Sequence, residues 1–199
     1  MLSQLGLEGK FVAGYVGTHG MAHALGTILD TADLCRQQVP DGGRFHFILL
    51  GEGSEKAQLL RRAGASGLDN VTFLDAVSKD QVARYWSLLD VSIIHLKRTD
   101  LFKTVIPSKL FECMAMGIPV LHGVEGESAE IVEREDVGLA FEPENPASLL
   151  EALLSVSGDP ALRQSLSQNG PQAVRSFDRE VLAGKMLALI ESVARKDGS

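Results

Sequence analysis

The sequence predicts an α/β fold: a doubly wound, Rossmann-like parallel sheet of about six strands with extra C-terminal helices. Three observations predict it. Short apolar runs alternate with longer segments of helical period as far as about residue 142. The runs are continuously apolar, as expected of strands whose two faces are both covered by helices. The chain has 199 residues, 45% hydrophobic and 23% charged, which is the composition of one soluble globular domain.

Taken in order, the first unit is Phe11-Val-Ala-Gly-Tyr-Val16, followed by Met21, Leu25, Ile28, Leu29 and Ala32 on one helical face. Phe45-His-Phe-Ile-Leu-Leu50 leads to a helix near 54–64, and Val71-Thr-Phe-Leu74 to a helix near 79–88. Val91-Ser-Ile-Ile-His95 is separated by a long polar loop from a helix near 107–116. Pro119-Val-Leu-His122 and Val137-Gly-Leu-Ala-Phe141 complete the strands. Beyond them the chain reads as helix throughout. Asn145 before Pro146 and Asp159 before Pro160 are N-cap and N1 signals, and an amphipathic stretch runs from about Arg179 to Ala194. No linker, repeat or low-complexity tract divides the chain, so residues 1–199 are expected to form a single domain.

Charge and cysteine usage exclude several functions. Nineteen Lys plus Arg against 26 Asp plus Glu give a net charge of −7, with no run of Lys or Arg longer than two, so no nucleic-acid partner is expected. Cys35 and Cys113 have no second Cys at metal-ligand spacing; no metal site or disulfide framework is expected, and a reducing cytoplasm fits. No stretch approaches the roughly 20 apolar residues of a membrane span, and the N-terminus lacks the charged leader and apolar core of a secretion signal.

In an open parallel sheet the ligand lies beyond the carboxyl ends of the strands, which directs attention to four loops. The first, Gly14-Tyr-Val-Gly17-Thr18-His19-Gly20-Met21, is a glycine-rich turn whose N–H groups could hold a phosphate; its glycines fit a plain tight turn equally well. His19 and His23 read as solvated loop residues. The second, Gly51-Glu-Gly53-Ser54, reads as a turn capped by Ser54, since Glu52 lies too far beyond Gly20 for a ribose-binding acid at about 20 residues. In the third, Ser78 is a plausible N-cap and Val77 leaves a backbone edge exposed.

The fourth loop carries the most information. Lys97, Arg98, Lys103 and Lys109 crowd the segment that opens over the crevice of an acidic protein, which points to an anionic ligand. The helix that follows has an expected core stripe of Leu110, Phe111, Met114 and Ala115. Glu112 lies among these apolar neighbours and must reach solvent or find a partner, because isolated burial of a charge is costly.

Asn70-Val-Thr-Phe-Leu, Asp90-Val-Ser-Ile-Ile, Ile106-Pro-Ser-Lys-Leu-Phe-Glu-Cys-Met-Ala-Met-Gly-Ile-Pro-Val120, Glu130-Ile-Val and Val137-Gly-Leu-Ala-Phe-Glu-Pro-Glu-Asn145 follow one another at spacings that resemble the C-terminal donor-binding domain of GT-B glycosyltransferases. The nearest group is the retaining family 4 type, in particular its fucosamine-transferase-like members from polysaccharide assembly. The resemblance covers nearly the whole chain, and its Pro-Ser-Lys-x-x-Glu-x-Met-Ala-x-Gly-x-Pro-Val segment is specific.

The resemblance implies transfer of a hexosyl or N-acetylhexosaminyl group from a nucleoside diphosphate donor, a UDP-sugar by preference, with no further cofactor. It implies that Glu112 binds the ribose hydroxyls, being the second glutamate of a Glu-x7-Glu motif. It places the backbone of Thr104, Val105, Ile106 and Pro107 beside the donor sugar and diphosphate, Val77 beside the base, and Gly17, Thr18, His19 and Gly20 beside the diphosphate. Two departures stand out. Thr104 replaces the first glutamate of the motif, and the family's Arg and Lys after strand one are absent, which leaves Lys103, Lys109 or His19 to meet the diphosphate charge, with Ser108 at the helix start.

The resemblance assigns no catalytic residue within this chain. It also implies that an N-terminal acceptor domain is missing, that the isolated domain is inactive, and that the last helix packs on the missing half, leaving apolar surface uncovered here. Lipid-linked acceptors would bring the full enzyme to a membrane surface. The rival reading is a non-catalytic α/β nucleotide-binding or regulatory module, for which the cation-rich loop beside Glu112 would have no purpose. A sugar-nucleotide epimerase would need acidic and histidine residues that the chain does not supply as a set.

Overall fold

The computed structural model describes residues 2–196. Strands β1 (Phe11–Val16), β2 (Phe45–Leu50), β3 (Val71–Leu74), β4 (Val91–His95), β5 (Val120–Gly123) and β6 (Gly138–Ala140) form one parallel sheet in the order β3-β2-β1-β4-β5-β6. The Val, Ile, Leu and Phe runs form strands because branched and aromatic side chains pack well on a pleated surface. The four inner strands are buried along their whole length, while β3 at one edge is half-exposed.

Both faces of the sheet are covered, by helices α1 (Gly26–Gln38), α2 (Lys56–Ala65), α3 (Lys79–Trp86), α4 (Lys109–Met116), α5 (Glu127–Arg134) and α6 (Pro146–Gly158). Because successive strand residues point to opposite faces, β1 feeds two cores. Ala13 and Tyr15 join Ile28, Leu29 and Ala32 of α1, Leu59 of α2 and Leu149 and Leu153 of α6. Val12 and Val16 join Trp86 of α3, Leu110, Cys113 and Met114 of α4, and Ile131 and Val132 of α5.

The register places the opening of the sheet. β1 pairs with β2 through all six residues, from Phe11 opposite Phe45 to Val16 opposite Leu50. On its other side it pairs with β4 only at Ala13 opposite Val91 and Gly14 opposite Ser92. Past Gly14 the two strands part at their carboxyl ends, between β1 and β4, where the strand order reverses. Open α/β sheets bind ligands at such a switch point.

Helices α6, α7 (Pro160–Ala173) and α8 (Arg179–Lys196) make the helical C-terminal part. The two expected caps form: Asn145 Oδ1 accepts from Ala147 N at 3.0 Å and Ser148 N at 3.1 Å, and Asp159 Oδ1 accepts from Ala161 N at 3.0 Å and Leu162 N at 2.9 Å. α7 continues past Leu166 through Pro171, and its buried Gly170 lies against the α4 backbone, where a Cβ would stand 2.6 Å from the Met114 carbonyl oxygen. On α8, Leu182, Met186, Leu187, Leu189 and Ile190 are exposed.

Several local expectations are corrected. Met21 does not belong to the buried face of α1: residues 21–23 form a separate 3-10 turn, and Met21 is 66% exposed. In α4 the buried stripe is Leu110, Cys113 and Met114; Ala115 is exposed and Phe111 half-buried. Ser54 does not cap α2, whose N-cap position is Glu55 and has no side-chain capping bond. Ser78 does hold the N-cap position of α3, but its hydroxyl bonds the Asp80 carboxylate instead of a helix N–H. Helix α5 has no counterpart among the helices placed from periodicity, because its eight residues offer only Ile131 and Val132 as buried apolar positions.

Candidate functional site

Two glycine turns make the floor of the site. Gly17 N donates to Leu50 O at 2.9 Å, His19 N to Glu52 O at 2.8 Å and Glu55 N to His19 O at 2.9 Å, so the turns after β1 and β2 are stitched together by backbone bonds. Gly51 and Gly53 have φ of +148° and +157°, and a Cβ at either would run into the backbone of Gly17 or His19. Close approach of two backbones, and not capping, explains this Gly-x-Gly.

Beside these turns lies a cavity of about 500 Å³, open at the carboxyl ends of β1, β2 and β3. Gly17, Thr18, Gly51 and Glu52 line one side, and Ala76, Val77, Lys79 and Val82 the other. Lys56 clamps the loops beneath it: its Nζ donates to Glu52 Oε1 at 2.6 Å and to Asp75 Oδ1 at 2.7 Å. Those bonds hold the Asp75 carboxyl below its usual range.

The β4–α4 segment does not line this cavity but meets the Gly17 turn through Lys109, and the four cations of the segment have different fates. Arg98 pairs with Glu125 at 2.9 Å and Glu142 at 2.7 Å. Lys103 is exposed and pairs with Asp100 at 2.8 Å, which raises its pKa. Lys97 is exposed. Lys109 alone of the four turns inward: its Nζ sits 3.9 Å over the Tyr15 ring, and a Cβ on Gly17 would lie 2.8 Å from it. Burial pulls its pKa down to about 8, against the smaller opposing fields of Cys113 and Glu112. The four cations expected to crowd the crevice together are thus divided: two are ion-paired, one is exposed and only Lys109 faces inward.

His19 is also corrected. It is fully buried, packed edge-on to Phe73 and against Tyr15, with both ring nitrogens lacking a hydrogen-bond partner among the described residues. Burial first, then the positive field of Lys56, lowers its pKa to about 4, so the ring is neutral at pH 7. Gly20 has extended backbone and room for a Cβ, so nothing steric requires glycine there.

The sequence-derived site residues thus fall into two groups. Gly17, Thr18 and Val77 line the cavity. Thr104, Val105, Ile106, Pro107 and Ser108 form the approach to α4, with Thr104 and Ser108 exposed and Thr104 Oγ1 donating to Leu101 O at 3.2 Å. Glu112 is exposed on the first turn of α4 and is not part of the cavity lining. Lys109 connects the groups, since its ammonium reaches Gly17. Sequence reasoning missed Tyr15, Lys79 and Val82. A tyrosine inside an apolar strand reads as core, which Tyr15 also is, and nothing in its spacing reveals the cation above its ring.

A parallel sheet of this order with helices on both faces defines a doubly wound α/β domain. The chain belongs to the glycosyl transferases group 1 family, whose model matches residues 10–159. It is 28% identical over 132 residues to the amylovoran biosynthesis glycosyltransferase AmsK of Erwinia amylovora, covering 65% of this chain and 31% of that protein. Anabaena HepE, solved in complex with UDP, superposes with a TM-score of 0.80 at 19% identity over 96% of this chain and 51% of that one. The C-terminal domain of a Francisella tularensis group 1 family glycosyl transferase superposes at 0.68 with 20% identity, over 84% of this chain and 86% of that one. The chain spans between 17% and 51% of the length of the curated relatives it matches.

Among the described residues no helix is long and apolar enough to cross a membrane.

Proposed function

We propose that this chain is the donor-binding unit of a GT-B glycosyltransferase and holds a nucleoside diphosphate sugar, UDP-linked by preference, for transfer to a saccharide or lipid-linked acceptor. The observation that carries the reading is the cavity between Gly17-Thr18 and Ala76-Val77, flanked by the inward Lys109 ammonium. Its volume of about 500 Å³ lies within the roughly 300–1,000 Å³ of small-molecule sites. The same fold in HepE was solved with UDP.

In this reading the base lies against the backbone at Val77. Glu112 accepts the ribose hydroxyls, which suits an exposed carboxylate three residues from Lys109 on the same helix. The diphosphate lies between the Gly17–Gly20 turn and the start of α4, where the helix dipole favours an anion. Lys109 supplies the cation that the turn after β1 lacks, and the backbone from Thr104 to Ser108 borders the sugar. Thr104 presents a hydroxyl where a carboxylate would bind sugar hydroxyls more strongly, which suits a donor sugar other than the one that a Glu-x7-Glu pair selects.

The rest of the reading concerns the longer protein: a retaining enzyme of the family 4 type, close to fucosamine transferases of polysaccharide assembly, that carries its acceptor site on a second domain. The lengths of the curated relatives and the apolar side chains exposed on α8 support it. The two buried free cysteines suit a cytoplasmic setting, with the membrane met only at its surface. Titration calorimetry of this chain with UDP, GDP and ADP tests the central point. Heat with UDP and less with the others supports the reading; no heat with any of the three from a folded sample overturns it.

A further inference from the structure

Lys109 and Tyr15 belong to opposite faces of the sheet. α4 packs through Leu110, Cys113 and Met114 into the core that Val12 and Val16 feed, whereas Tyr15 points into the other core with Ala13 and Phe47. The Lys109 ammonium nevertheless lies 3.9 Å over the Tyr15 ring. It reaches it where β1 and β4 have parted, since their pairing ends at Gly14 and Ser92. A long, flexible side chain crossing a gap would lose its direction without something to hold its end.

The fully buried ring provides that hold, and a cation over the face of an aromatic ring is attracted to its quadrupole. Tyr15 acts at its other end as well: its hydroxyl donates to Thr18 O at 2.8 Å, fixing the turn that lines the cavity. Gly17 completes the arrangement, because a Cβ there would come within 2.8 Å of the ammonium and 3.5 Å of the Tyr15 hydroxyl. One residue thus ties the cation and the glycine turn into one rigid unit. No carboxylate forms an ion pair with Lys109 among the described residues, so its charge is left for a ligand.

We propose that Tyr15 is a positioning residue for the diphosphate: its ring holds the Lys109 ammonium at the Gly17 turn while its hydroxyl fixes Thr18. The inference rests on the nucleotide-sugar reading above. It assigns Tyr15 no contact with the ligand; it acts through Lys109 and through the turn.

The experiment is a double-mutant cycle with Tyr15→Leu and Lys109→Ala, titrated with UDP and with uridine, alongside Tyr15→Phe. Tyr15→Leu should weaken UDP binding by roughly threefold to thirtyfold and leave uridine binding unchanged. Added to Lys109→Ala it should cost clearly less than it does alone, only the part that runs through the Thr18 turn, because the ring then has no cation to hold. Tyr15→Phe, which keeps the ring, should recover most of the loss. Equal losses for UDP and uridine, or additive effects in the double variant, would overturn the inference.

A second readout needs no nucleotide and no fold-threatening change. In the parent protein the Lys109 ε-methylene protons should show an upfield ring-current shift in NMR; its absence overturns the inference whatever binds. Should Tyr15→Leu not fold, phenylalanine at 15 with increasing ring fluorination replaces it, and UDP affinity should fall with fluorination while uridine affinity does not. A parent that shows the ring-current shift but binds no UDP overturns the nucleotide reading; one that binds UDP without coupling overturns only the role of Tyr15.

Discussion

Gly51 lies so close to the Gly17 carbonyl that a Cβ at position 51 would overlap it, and this contact sets the distance between the first two ligand loops. Gly51→Ala should therefore push the turns apart as well as strain a residue at φ +148°. The expected result is a loss of about 1–3 kcal/mol in denaturant unfolding, together with weaker UDP binding. An unchanged midpoint would mean that the loops yield without cost.

Protonation gives the next expectation. Burial lowers His19, His95 and His122 from 6.5 to about 4, while their unfolded imidazoles titrate near 6.5. The unfolded chain thus takes up protons first as pH falls, so the contribution is complete above about 6.5 and is lost progressively towards pH 4. Unfolding midpoints at pH 7, 6, 5 and 4.5 should fall in that order. A flat profile over this window would show that the three rings are hydrated.

Glu112→Gln should weaken UDP binding by roughly tenfold to a hundredfold, since an amide replaces a charge-assisted acceptor of the ribose hydroxyls. Stability should not move, because the carboxylate is exposed. Lower stability with unchanged UDP affinity would make Glu112 a structural partner.

The two lysines of the diphosphate proposal should behave differently. Lys103 is already matched by Asp100 and exposed, so Lys103→Ala should change UDP affinity little. Lys109→Ala should weaken UDP binding far more than uridine binding, and the loss should shrink as salt is raised, since screening acts over roughly 8–10 Å. Equal loss for nucleoside and nucleotide would mean that Lys109 only shapes the loop.

The layout of the fold was legible because strands buried on both faces leave continuous apolar runs, and Asn145-Pro146 and Asp159-Pro160 mark helix starts by local chemistry alone. Short helices were harder: α5 shows two buried apolar residues, too few to set a period. At the site, the Gly17 turn and Val77 were legible from their place after strands. His19, Tyr15 and the inward turn of Lys109 were not, because each depends on a neighbour distant in sequence: Phe73 for His19, and Lys109 and Tyr15 for one another. Burial and pairing of polar side chains are decided by tertiary contacts that spacing does not encode.

The central claim is that a nucleoside diphosphate lies between the β1 turn and α4, with its base at Val77, and amide NMR of the chain titrated with UDP tests it most directly. The account predicts shift changes gathered at Gly17, Thr18, Gly51, Val77 and Lys109, saturating together. Changes centred instead at the other end of the sheet, around Asp90, Arg163 and Ser167 where a second cavity opens, would contradict it.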